Sequence, residues 1–590
     1  MRILVLLGML MGAVPAAEAF AVPAADAAKD FALPDTQGKL VSLGDFKDKK
    51  IVVVLFLGNE CPLVQTYMPR LMDMAASLEK QGVQFVGINS NSQDDAASLA
   101  AYAAKYNLNF PLLKDDHNRV ADRFGAERTP EVFVLDAKRQ VVYQGRIDDQ
   151  YGVGYQRPYA NRHDLKIAID ELLNDQPVTL QRTKSAGCLI GRVKTKTSAA
   201  PTVTYTKHVA AILQNHCVDC HRPGQIGPFA LTSYEKAKSW ADMIAEVVTD
   251  RRMPPWHADP RFGSFSNDRS LPENDKKTLL AWIEQGCAKG DDADLPPLKT
   301  FPQDDGWTIG KPDIVLTMKD EFHIPAENPK GGFPYQFVTI PTNFKEDVWI
   351  QAVEARPGNK AVVHHILAFV HSGDKPFNPR GEDSIGNNLL VGTAPGDMPG
   401  IYPPGVGKRI PKGSVLLLQM HYTPNGTPQK DRSSIGMILC KEPPRFEAHT
   451  RAMLTKRFAI PPGASNHEVR TRSVFREEAI LFSLMPHLHV RGKSFMYKAH
   501  YPNGKEEILL HVPNYDFGWQ VMYRLKKPLT LPAGTVIESI ATYDNSAENP
   551  NNPDPTKTVY WGDMTWEEMM IGWADYYYPR RTLKVSQLDR

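Results

Sequence analysis

The chain has 590 residues, which at roughly 100–200 residues per domain implies about three to five domains. Charged residues make up 23% and hydrophobic ones 42%, ordinary globular values that exclude a disordered or membrane-embedded bulk. Lys+Arg 69 against Asp+Glu 67 leaves a formal charge of +2, which excludes a chain-wide nucleic-acid footprint.

Residues 1–21 carry the three parts of an export signal: Arg2, an apolar run over 3–14, and a small-x-small site at Ala19-Phe20-Ala21 or Ala17-Glu18-Ala19. The apolar run ahead of Pro15 is too short to span a bilayer, and no later stretch reaches about 18 apolar residues. A periplasmic or secreted, soluble chain with no membrane span after signal removal is expected.

Residues 28–180 alternate strand and helix signals. Strands are predicted over 51–57, 83–88, 131–135 and 141–146, and helices over 65–81, 95–106 and 163–173, an order that argues for an α/β layer structure. Residues 181–204 are polar, basic and Ser/Thr-rich and read as a linker. The region 205–297 reads as a small all-α domain, with helices predicted over 206–215, 233–249 and 275–284 and an acidic, proline-containing boundary after it.

Cys217-Val218-Asp219-Cys220-His221 is C-x-x-C-H, the signature of covalent c-type haem attachment. Two thiols three residues apart can form thioethers to the two vinyl groups, and the adjacent His221 supplies an axial ligand. Met253, 32 residues on in Arg252-Met253-Pro254-Pro255-Trp256, is the candidate distal ligand, with His216 and His257 as rivals. A Met/His pair raises the iron potential and suits electron transfer. Cys287 reads as a packed thiol.

From about 306 the pattern turns to short β-rich runs, at 348–353, 362–370, 415–422, 435–440, 480–484 and 536–543, with hairpin-type turns at Asn425-Gly426 and Asn503-Gly504. Two jelly-roll-type β-sandwiches are expected, over 306–445 and 446–590. Three histidine clusters stand out: His364-His365, His421, and His487-Leu488-His489. His487 and His489 share one strand face and can reach one metal. His364 and His365 point apart in a regular strand, so a shared metal requires a twist or a strand end there. Imidazole suits Cu, Zn, Fe and Ni, and an added thioether narrows the choice toward copper. His323, His371, His449, His467, His500 and His511 read as structural.

In order, His364-His365, Gln419-Met420-His421-Tyr422, His487-Leu488-His489 before Gly492-Lys493, and Glu567-Glu568-Met569 before Tyr576-Tyr577-Tyr578 resemble the type II copper, ascorbate-dependent monooxygenases, the peptidylglycine and dopamine monooxygenase family. The resemblance implies that His364, His365 and His421 hold an electron-storing copper. It implies that His487, His489 and Met569 hold a second, catalytic copper that activates O2 for C–H hydroxylation, with Met564 and Met570 as alternatives to Met569. The family's sandwiches are usually stapled by disulfides, whereas only Cys440 falls in this region.

The N-terminal part resembles the thioredoxin-like superfamily, especially its peroxiredoxin and thiol-disulfide branches. Cys61-Pro62 opens a helix, where a thiol pKa can be lowered, and Arg128-Thr129-Pro130 precedes the strand at 131. The thioredoxin C-x-x-C is broken by Val64, and Gly58 stands where peroxiredoxins carry threonine. Cys188 is a candidate resolving partner for Cys61; an inert thiol on a degenerate scaffold is the alternative.

Together these readings predict an exported copper monooxygenase fed by its own haem. Two copper ions and one haem are its cofactors, a small-molecule or peptide substrate and O2 its partners, and an external electron donor is allowed. A haem, copper and thiol relay or sensor without substrate oxidation is the alternative. A cytochrome c peroxidase needs an open haem position, against which Met253 argues.

Overall fold

The computed structural model describes residues 31–583 apart from 158, 194–200, 224, 226, 302–306, 327–332, 374–385, 387, 394–398 and 426. The export signal at 1–21, part of the expected linker and Gly426 of one predicted turn lie outside the described residues.

The N-terminal sheet has the order Leu112–Lys114, Val83–Asn89, Ile51–Phe56, Glu131–Leu135, Val141–Gly145. The first three strands are parallel and the last two join antiparallel. Every residue of Ile51–Phe56 is buried, because a central strand covered on both faces has no position left for polar alternation. Val53 and Leu55 pack with helix Pro62–Leu78 and with Leu165 of Asp164–Leu173, while Val52, Val54 and Phe56 pack with Arg119–Phe124 on the other face. The expected α/β layering is present. Leu112–Lys114 and Arg119–Phe124, three and six residues long, are too short to show a period in sequence.

The linker starts later than expected. Gln144 N–H donates to the Gln181 carbonyl (2.9 Å), Thr183 N–H to Gln144 (3.0 Å) and Ile190 N–H to Glu127 (2.9 Å). Cys188–Leu189 pairs antiparallel with Arg128–Thr129. Residues 181–193 therefore belong to the α/β domain. Backbone pairing needs no apolar side chains, so a polar composition concealed it.

Next, Tyr205–Val209, Ala210–His216, Tyr234–Ser239, Ala241–Thr249 and Glu273–Glu284 pack around Val209, Leu213, Trp240, Leu279, Trp282 and Cys287. The single helix expected over 233–249 is broken at Trp240, which leaves helical geometry (φ −98°, ψ 8°) and buries its ring. Trp282 is fully buried, so Trp282→Ala should cost about 3–5 kcal/mol, seen by calorimetry as an earlier transition of this helical unit. Residues 256–267 leave the unit and lie on the second β-sandwich. Phe265 bridges Leu525, Ser266 N–H donates to the Arg524 carbonyl at 2.8 Å, and Trp256 meets Tyr523 at 5.0 Å between ring centroids.

Beyond 306 the described residues form four large, mainly antiparallel sheets in two facing pairs. The sheet containing Val348–Arg356 and Ser434–Leu439 shares a core with that of Gln336–Pro341, Ser414–Tyr422, Val363–Ser372 and Leu389–Thr393. The sheet of His449–Leu454, Ile571–Tyr577, Ala479–His487 and Tyr523–Leu531 shares another core with that of His467–Phe475, Thr535–Tyr543, Gly492–His500 and Glu506–Val512. The two inner sheets meet in a third apolar layer made by Leu367, Phe369 and Leu417 against Met485, Ile571 and Trp573. All six cysteines are free thiols, so no disulfide staples the sandwiches. Among the described residues no helix is long and apolar enough to cross a membrane.

Candidate functional site

Strand parity decides which histidines meet. In Ser414–Tyr422, Leu416, Leu418 and Met420 enter the first core while Leu417 faces the seam between sandwiches. A period of two then points His421 into the seam as well. Leu484 enters the second core and Met485 the seam, so His487 also faces the seam.

His364 and His365 meet through a bulge. Against Ser414–Tyr422 the register passes from Val363–Tyr422 directly to His365–His421, leaving His364 as the extra residue. A bulge breaks the alternation of faces. The rings of His364, His365 and His421 then lie 4.9 to 5.5 Å apart between centroids, and one nitrogen from each falls within 4.8 Å of the others.

The rings of His487 and His489 are 5.4 Å apart. His487 Nδ1 bonds Gln520 Oε1 at 2.5 Å, and His489 Nδ1 bonds the Glu567 carbonyl at 3.2 Å. His489 Nε2, His365 Nε2 and His421 Nδ1 are buried without a hydrogen-bond partner. Orphaned buried nitrogens call for a partner, and neutral imidazole nitrogens are ligands for Cu, Zn, Fe and Ni. Burial holds the five imidazoles neutral: His364 and His487 are pushed down to about 4, and His365, His421 and His489 fall well below the ordinary value.

Two aromatic rings join the histidine groups. Tyr335 lies 5.5, 5.0 and 6.4 Å from His365, His421 and His489, and Phe517 stacks on His364 at 5.4 Å and meets His489 at 6.1 Å. No motif in the sequence marked either residue.

Met569 lies in the seam with Met485 and Trp573, whose ring is 5.6 Å from His487. Met570 points the other way, into the second core, and Met564 is half-buried. Glu568 is fully buried and accepts from the backbone N–H groups of His489 (2.9 Å) and Arg491 (2.7 Å). Burial pushes its carboxyl up to about 8 in spite of the neighbouring Arg491 charge. It was visible in sequence only as a neighbour of Met569, yet it ties the His489 segment to the Met569 segment.

The C-x-x-C-H motif forms a turn after Ala210–His216. His221 Nδ1 bonds the Phe229 carbonyl at 3.1 Å, so Nε2 is the ring nitrogen turned away from that bond. Phe229 stacks on Trp240 at 3.8 Å, and Trp240 Nε1 donates to Glu60 at 3.2 Å. His216 is paired with Asp275 at 3.2 Å, and the charge near His257 is Asp516 of the second sandwich. Met253 sits half-buried past the end of Ala241–Thr249, its N–H on the Val247 carbonyl.

The second cluster is the thiol pair. Cys61 begins helix Pro62–Leu78 and its Sγ donates to the Thr129 carbonyl at 3.0 Å; Cys188 is the cross-strand partner of Thr129. Burial opposes ionisation of Cys61, but hydrogen bonds from the Cys188 thiol and from the Val64 and Cys188 backbone hold its pKa below the ordinary thiol value. Cys188 is pushed up by its bond to Cys61 and by burial. A Cβ at Gly58 would fall 2.5 Å from Asn91 Nδ2, so the threonine of peroxiredoxins would have to displace that amide, which donates to Asp94 at 3.1 Å.

Residues 24–144 match the AhpC/TSA family. The N-terminal segment is an AhpC/TSA-type, thioredoxin-like domain. This AhpC/TSA domain accounts for a 34% identity over 134 residues to chloroplastic peroxiredoxin Q of Triticum aestivum, covering 21% of this chain and 60% of that protein. Chloroplastic peroxiredoxin Q of Arabidopsis thaliana is 33% identical over 133 residues, again 21% and 60%. The chain thus spans about 60% of the length of these curated relatives. Among solved structures, a hypothetical protein from Sinorhizobium meliloti 1021 is 33% identical, covering 30% of this chain and 97% of that one at a TM-score of 0.28. Peroxidoxin BcpB from Mycobacterium tuberculosis is 24% identical, covering 25% and 93% at a TM-score of 0.20.

Proposed function

We propose that the chain is an exported oxidoreductase that hydroxylates a C–H bond of a small-molecule or peptide substrate with O2, using a copper pair fed by a covalent haem. The convergence of five imidazoles, three with orphaned buried nitrogens, at the seam of two β-sandwiches carries this reading. His364, His365 and His421 would hold one copper, and His487, His489 and Met569 the other. Copper there would supply one-electron storage and dioxygen activation. The chain's own residues orient and shield the donors. Gln520 and the Glu567 carbonyl hold the His487 and His489 rings by Nδ1, Glu568 clamps the two ligand segments, and the apolar layer around Met485 and Trp573 keeps water out.

Cys217 and Cys220 would attach the haem, with His221 and Met253 as its axial ligands. The Phe229 carbonyl orients His221 as an outer-shell acceptor does for a ligand histidine. Gln225, four residues past His221, accepts from Lys360 Nζ at 3.4 Å, and Lys360 lies four residues before His364. This contact supports electron delivery within one chain, where effective concentration is high.

Elemental analysis with optical and EPR spectroscopy tests the proposal. About two copper and one haem iron per chain are expected from these donor sets; a chain that takes up haem but no copper would overturn it. The Cys61–Cys188 contact favours a second reading, a thiol, haem and copper relay or sensor without substrate oxidation.

A further inference from the structure

The histidine seam opens into a cleft of about 330 Å³ whose walls come from the α/β domain and both sandwiches. His364, His421 and Phe517 stand on one side. Gly154, Tyr155, Gln156 and Arg157 of the α/β domain stand on the other. These last residues belong to, or directly follow, the hairpin of Tyr151–Gly152 and Tyr155–Gln156, which lies beyond the family match.

The hairpin is a built wall. A Cβ on Gly152 would fall 1.9 Å from the Tyr155 ring, so glycine at this position lets that ring lie flat against its own backbone. Arg157 is ion-paired with Asp149, covers the Tyr155 ring at 5.5 Å and donates from Nε to the Pro550 carbonyl at 3.1 Å. Asn551 Nδ2 donates to the Gly154 carbonyl at 3.4 Å. At its base, Tyr151 packs edge-on against Tyr67 at 5.3 Å, on the helix that Cys61 begins. The hairpin is thus fastened to both the α/β body and the second sandwich.

We infer that this hairpin walls the cleft that opens onto the His364, His365 and His421 group and sets the size of molecule that reaches His364 and His421. A cleft near 330 Å³ is at the small end of ligand sites, roughly 300–1,000 Å³, and suits a compact small molecule over an extended peptide. The inference rests on the proposed function for the identity of the site. The wall itself is geometry and can be tested without metal.

The test uses the full chain. Acylation of metal-free protein by diethylpyrocarbonate, read at each histidine by peptide mass spectrometry, should speed up several-fold at His364 and His421 in Tyr155→Ala. Gly152→Ala, which displaces the same ring, should do likewise. Tyr155→Phe should match the parent, and exposed His323 should be unchanged throughout. In copper-loaded protein followed by EPR, Tyr155→Ala should tighten binding of bulky 4-phenylimidazole several-fold and leave azide unaffected. Unchanged acylation of His364 and His421 in both ring-displacing variants would overturn the inference. Faster acylation in a chain that binds no copper would uphold the wall and sink the copper reading alone.

Discussion

Exchanging Met569 for alanine should slow the O2-dependent reoxidation of the reduced chain at least about 100-fold, past the 10–100-fold that losing an outer-shell partner typically costs. Haem reduction by an external donor should proceed as in the parent. The reason lies in how the chain alternates faces as it leads into the strand Ile571–Tyr577. Met569 enters the seam beside Trp573 and the His487 ring, whereas Met570 turns into the second sandwich's core. A thioether favours the reduced, O2-reactive state of copper, so its loss should act on oxygen chemistry and spare electron entry at the haem. Met570→Ala is the paired control: it should cost about 2–5 kcal/mol of stability as a buried Met→Ala change while O2 reactivity persists. The two variants are read by stopped-flow absorbance and calorimetry. Unaltered reoxidation in Met569→Ala would favour the relay reading, in which no step of oxygen activation depends on that sulfur.

A second large effect is expected at the thiol pair. Cys61 and Cys188 should be recovered as one disulfide-linked peptide after mild oxidation with diamide, and Cys188→Ala should leave Cys61 unlinked. The same variant should move the pH midpoint of Cys61 alkylation upward. Burial, which disfavours the thiolate, remains, while the Cys188 hydrogen bond that helps to offset it is gone. The sign follows directly: a lowered thiol pKa means the reactive thiolate is already populated below the ordinary thiol range. From about 6, the first unit of upward displacement about halves the thiolate at neutral pH, and each later unit approaches a tenfold loss. An unmoved midpoint together with no disulfide would identify Cys61 as an inert, packed thiol. Cys188 also packs against both the α/β core and the helical core, which places it at a domain boundary.

Much of the N-terminal architecture was legible because its strands obey local rules. Ile51–Phe56 announces itself as a buried run, and Asp95 caps Ala96–Tyr106 through the Ser98 N–H. The break at Trp240 and the return of residues 181–193 to the sheet edge were not legible. Trp240 is set by packing around its ring, and the returning segment is held by backbone bonds that any sequence can make. In the β region, Ser414–Tyr422 and Ala479–His487 showed as apolar runs because they are buried on both faces. The one feature that local rules argued against was the adjacency of His364 and His365. An inserted residue in the ladder overrides the strand's period there, and a bulge has no unique sequence signature.

The sequence by itself determined the inventory of chemistry: the C-x-x-C-H unit, the five histidines with their methionine candidates, Cys61 at a helix start, and the order of α/β, helical and β segments. These are local properties, set by residue type and spacing along the chain. Only the tertiary structure decided which of them meet. The seam between the sandwiches gathers the imidazoles, parity selects Met569 over Met570, Tyr335 and Phe517 join the two histidine groups, and a hairpin from the α/β domain walls the cleft. Such contacts join residues hundreds of positions apart, and they exist because apolar inner sheet faces must bury one another, a requirement that composition states but does not locate.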